Sequence, residues 1–161
     1  MRMNNIKKIL YNGFLKIQSI NGIDDKVKHR MLWEMFSLNG KNPLNWEVVG
    51  ITKMAYDKLK ENNWIWPKGN KDNKINRSHI KDRLDTSLKM FSNFNWSEDS
   101  WWNFYRERDK CILATGTENM SKKELVIKYY VPKKDLPLFR SKGFNAHYGS
   151  EEKTFLKEIV Q

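Results

Sequence analysis

Apolar residues in "NNIKKILYNGFLKIQSI" recur at Ile6, Ile9, Leu10, Phe14 and Ile17, steps of three and four that trace one face of a helix, with Gly13 as an interruption. "DDKVKHRMLWEMFSLNG" repeats the period through Val27, Met31, Met35 and Leu38. Asp24 is placed to cap this second helix and Asn39-Gly40 to end it. "VVGITKMAYDKLKENNW" predicts a third helix capped by Thr52. Ile51, Ala55 and Leu59 lie on its apolar face, with Lys53, Asp57, Lys60 and Glu61 opposite.

The pattern then changes. "WPKGNKDNKINRSH" is polar, basic and rich in Gly and Asn, which reads as a loop leading into a short extended segment over 75–80. "NWSEDSWWNFYRERDK" restarts a helix with Ser97 as N-cap, Glu98 and Asp99 in the first turn, and Trp101, Trp102 and Tyr105 as its buried face. "KCILATG" is a compact apolar run that predicts a buried strand with Cys111 in the core. "TENMSKKELVIKYY" predicts a helix opened by Thr117. Pro132 and Pro137 break the chain after it, and "SEEKTFLKEIV" predicts a last short helix capped by Ser150.

Charge changes the picture. Lys and Arg number 30 against 19 Asp and Glu, a net +11. Such an excess in 161 residues points to a polyanionic partner, nucleic acid before others. The 23 Lys and 17 Asn also fit an AT-rich coding sequence. The one cysteine excludes an intramolecular disulfide and a multi-cysteine zinc site, and suits a reducing cytoplasm. No signal peptide is expected at the start, and no segment is apolar for the roughly 20 residues a membrane span needs. A helix-turn-helix reader is disfavoured, because "NGKNPLNWEVVG" is long for that motif's turn. Helical packing accounts for most of the tryptophans, although some could stack on bases.

Two segments carry candidate chemistry. "RSHIKDR" sets His79 among Arg77, Lys81 and Arg83; "DKCILATGTENMSKK" runs a strand into a helix start at Glu118 and Asn119, followed by Lys122 and Lys123. Their order, strand–strand–helix with a histidine on the first strand and an asparagine on the helix, resembles the HNH, or ββα-metal, nucleases over roughly 75–130. The resemblance implies an α+β fold: a mostly helical part over 1–66, an HNH-like ββα-metal core over 75–130 with a helical insert around 96–108, and an extension over 131–161, all in one domain. It implies a Mg²⁺- or Mn²⁺-dependent endonuclease acting on DNA ahead of RNA, with no membrane partner.

In such a site a neutral imidazole deprotonates the attacking water. His79 takes that role by the resemblance. Asp109, or Lys110 in another alignment, stands where the family's middle asparagine orients the base. Asn119 stands at the metal-touching position. Arg77, Lys81, Arg83, Lys122 and Lys123 would hold phosphates. The family's acid before the histidine is Ser78 here. Asp82, Asp85 or Glu118 would have to supply the carboxylate that Mg²⁺ prefers. A degenerate scaffold that binds DNA or a host protein without cutting is the alternative. A palindromic target would call for a homodimer. His29 reads as a surface histidine, and His147 as a structural or DNA-side residue.

Overall fold

The computed structural model describes residues 3–37, 46–67, 74–121, 125–140 and 146–159. It is an α+β protein. The chain forms two compact units, each assembled from two stretches: 1–45 with 81–109, and 46–80 with 110–161. The helical insert clusters with the N-terminal helices, whereas the third helix clusters with the strands.

The first unit is helical: α1 (Met3–Gln18), α2 (Asp25–Ser37), α4 (Arg83–Ser92) and α5 (Glu98–Arg108). Its core is aromatic. Phe14, Phe36, Trp101 and Tyr105 are fully buried, with Phe36 and Tyr105 centroids 4.1 Å apart and Phe14 and Trp101 5.2 Å apart. Of the expected α1 stripe Ile6, Leu10, Phe14 and Ile17 are buried, whereas Ile9 faces solvent. Gly13 has a use in this helix: a Cβ there would run into Met35 of α2. The α2 stripe is rotated from expectation. Leu32, Trp33 and Phe36 are buried while Val27 and Met31 are exposed, because the bulkier aromatics claim the core. Leu38, Asn39 and Gly40 lie outside the described residues.

Helix α4 was not anticipated. Asp82 caps it, accepting from the Asp85 amide at 2.7 Å. Ser97 caps α5 as expected, accepting from the Ser100 amide at 3.1 Å.

The second unit holds the sheet, ordered β2-β3-β1-β4. Its strands are β1 (Val48–Ile51), β2 (Ile75–His79), β3 (Cys111–Thr115) and β4 (Tyr129–Tyr130). All five β3 residues are buried, as suits a central strand. β3 pairs parallel to β1 and antiparallel to β2. Strand β4 replaces expected helix, and β1 was not anticipated: Thr52 caps α3 (Lys53–Glu61) as expected, and "VVGI" before it is extended. Its Gly50 leaves room for Ile127 and the Tyr129 carbonyl.

The predicted 117–130 helix is one turn, α6 (Gly116–Met120), and Thr115 rather than Thr117 caps it. A 3₁₀ turn over Lys133–Asp135 and helix α7 (Ser150–Glu158) complete the unit. Gly149, not Ser150, is the α7 N-cap residue, and its amide donates to Glu152 at 2.7 Å.

Candidate functional site

The two-residue period of β2 puts Arg77 and His79 on one face and Ser78 on the other. Trp46 serves both members of the first face. Its ring meets the half-buried His79 edge-on at 4.7 Å and lies 5.2 Å below the Arg77 guanidinium, whose Nη1 donates to the Trp46 carbonyl at 3.4 Å. Trp46 holds this position with a φ of 59°, unusual for an aromatic residue. Arg77 is only 4% exposed, so it is an interior arginine rather than the surface phosphate contact that its sequence neighbourhood suggested. Ser78 is buried too, and its hydroxyl has no hydrogen-bond partner among the described residues.

The ladder places Glu118 and Asn119 away from His79. His79 pairs with Cys111 at one end, and Ile75 pairs with Thr115 at the other, where α6 departs. Four ladder steps separate these ends, about 13 Å. The five residues of α6 rise only about 7.5 Å. Asn119 is exposed on that turn, so the described residues do not bring it to His79.

Glu118 is committed elsewhere. Its Oε2 accepts from the Thr115 amide at 2.9 Å, the Thr115 hydroxyl at 3.0 Å and the Thr52 hydroxyl at 2.8 Å. This is a capping box, and the Thr115-x-x-Glu118 spacing announces it in the sequence. Glu118→Ala is expected to destabilise the protein by about 1–3 kcal/mol in EDTA as in Mg²⁺, because buried donors lose their acceptor. Denaturant titration in the two buffers checks this. A loss appearing only with metal would return Glu118 to the ligand set.

Asp109, Asp82, Asp85 and Arg83 belong to the helical unit. Asp109 is 1% exposed and accepts from the Tyr105 hydroxyl at 3.1 Å. Asp82 is the α4 cap, and Asp85 pairs with Lys89 at 2.8 Å and Arg108 at 2.5 Å. These partners hold the Asp85 carboxyl below its ordinary pKa, the Lys89 hydrogen bond foremost. Lys81 is exposed; Lys122 and Lys123 lie outside the described residues. Among the described residues no three His, Cys, Asp or Glu side chains gather as a metal site would require.

No protein-family model, curated protein or solved structure matches this chain. The functional reading therefore rests on its own residues.

One group with prepared chemistry escaped the sequence reading. His29, expected at the surface, is half-buried beside Trp33, with its Nδ1 2.8 Å from the Ser87 hydroxyl. Ser87 Oγ also accepts from Trp33 Nε1 at 2.9 Å and donates to the Arg83 carbonyl at 2.9 Å. A hydroxyl has one proton to give. With that proton on the Arg83 carbonyl, all three contacts are satisfied only when His29 Nδ1 carries hydrogen and donates. The titrating nitrogen is then Nε2. Burial lowers the His29 pKa below the ordinary value; Arg83 and Arg30 push the same way and Asp82 opposes them. Nothing in the sequence spacing joins His29 to Ser87, 58 positions away.

His147 is exposed, with Nε2 3.9 Å from the buried Glu152 carboxylate. Cys111 is buried in β3, as expected.

Proposed function

We propose that the protein binds nucleic acid through its phosphates, with duplex DNA as the first partner, and needs no metal to do so. The observation that carries this reading is the charge balance. Even if every carboxylate were paired, 11 positive charges would remain. Many of the carboxylates already have internal work: Glu118 and Asp82 as helix caps, Asp109 with Tyr105, Asp85 with Lys89 and Arg108, and Glu47 with Arg140. A surface left with excess Lys and Arg attracts polyanions and releases their counterions on binding. Gel-shift titration of DNA and RNA duplexes in EDTA tests the reading. Saturable binding at low salt is the expected result, and free duplex throughout would contradict it.

A second reading, an HNH-type endonuclease, draws support from one feature: β2 and β3 pair antiparallel and α6 follows β3 directly, with His79 closing β2. The donors do not fit a Mg²⁺ ion as they stand. Glu118 is held by three hydrogen bonds, Ser78 is buried, and Asn119 leaves from the far end of the ladder. Plasmid incubated with Mg²⁺ or Mn²⁺ decides this reading: nicking that disappears in His79→Ala would establish it, and intact plasmid or equal nicking by both proteins would end it.

A further inference from the structure

We propose that the groove between helix α7 and the 130–138 segment docks a short peptide segment of a partner protein, one that is both cationic and apolar. The inference goes beyond the nucleic-acid reading, because the charge of this groove repels phosphate.

The groove has a volume of about 800 Å³, and its apolar side chains are Tyr130, Pro132, Leu138, Phe155 and Ile159. Tyr130 is 69% exposed, Pro132 is exposed and the other three are half-buried, so this apolar surface is open to a partner. Tyr130 belongs to β4, the end strand of the sheet, and no described strand covers its outer side. A space of this size suits a few peptide residues rather than a single ion.

The charge of the groove is opposite to that of the chain. Asp135, Glu151 and Glu158 line it, and no Lys or Arg among the described residues does, in a protein of net charge +11. Helix periodicity makes the segregation. Positions 151, 154, 155, 158 and 159 fall three and four apart and form the lining face of α7. Glu152 and Leu156 turn into the core, and Lys153 and Lys157 stay out of the lining. Three and four positions away along α7, both Glu151 and Glu158 meet only Thr154 and Phe155, so neither has a cation on its own helix. None of the three carboxylates has an ion-pair partner among the described residues. Helix stability accounts for Glu151, which sits in the first turn. It does not account for Glu158, which sits in the last turn, where a carboxylate opposes the helix dipole. A cation brought by a partner reverses that cost.

Charge complementarity therefore selects the occupant. It must cover the apolar side chains and bring positive charge to three carboxylates. Lys and Arg do both, since their methylene stems lie along apolar surface while their charged heads reach the rim. Glu151 and Glu158 are about 10 Å apart along the helix axis, the length of roughly three extended residues.

Fluorescence anisotropy with the full chain and labelled hexapeptides tests this. In the first set lysine alternates with leucine, valine or phenylalanine. In the second, serine replaces the apolar residues; in the third, glutamate replaces lysine. The expected result is saturable binding of peptides from the first set alone, against the positive charge of the whole protein. Glu151→Gln with Glu158→Gln should weaken it about fivefold, the effect of two surface ion pairs. Thr154→Arg should abolish it by placing a long cation in the groove. All three positions are exposed, so circular dichroism should be unchanged in both variants. Failure of every first-set peptide to bind would overturn the proposal. So would equal binding of the serine or glutamate peptides, or binding that both variants leave unchanged.

Discussion

Trp101→Ala is expected to cost about 3–5 kcal/mol, close to the limit a small protein survives. Trp101 is fully buried in the helical unit. Its ring sits 5.5 Å from Tyr11, 5.2 Å from Phe14, 5.8 Å from Phe36 and 6.1 Å from Tyr105, centroid to centroid. Removing the indole strips one wall from each of these rings and opens a cavity that helices can only partly close. Trp101→Phe isolates the cause. The indole N–H is buried with no hydrogen-bond partner among the described residues, so phenylalanine forfeits no bond. It should recover most of the loss, leaving roughly 1–2 kcal/mol for the missing volume. Chemical denaturation measures both; a Trp101→Phe loss equal to that of alanine would contradict packing as the cause.

The sheet has a comparable centre. Leu113→Ala should cost about 2–5 kcal/mol. Leu113 is fully buried on β3, paired with Ile51 of β1 and Arg77 of β2. Its carbonyl accepts from the Thr52 amide at 2.9 Å, tying the strand to the α3 cap. The backbone bonds survive the substitution, so the loss measures side-chain packing alone. A change within 0.5 kcal/mol would be the result for a surface position and would place Leu113 outside the core.

Both centres were legible in part. The α1 stripe, the Ser97 cap and the "CILAT" strand follow from local period and capping chemistry, which neighbours in sequence decide. The α2 face did not, because Met and Val fit the period as well as Leu, Trp and Phe, and only tertiary packing chose among them. Strands β1 and β4 were hidden for a related reason. Four residues and two residues are too short for a period to show, and the partner strand supplies the reason to be extended.

The site was less legible than the fold. "RSHIKDR" sets three cations around one histidine in sequence, yet alternation along β2 sends Arg77 inward and the start of α4 carries Arg83 into the helical unit. The Thr115-x-x-Glu118 capping signature was available, and it explains Glu118 better than metal binding does. His29 lay beyond reach, since its partners Ser87 and Arg83 come from another helix.

We propose that the excess positive charge of this chain meets nucleic-acid phosphate. Duplex affinity measured in EDTA across a salt series addresses it most directly. Each phosphate neutralised contributes about −0.9 to the slope of log affinity against log salt. A straight line with a slope of roughly −3 or steeper, the mark of several phosphate contacts, is the expected result. Affinity that does not change with salt, or no binding at the lowest salt, would contradict it.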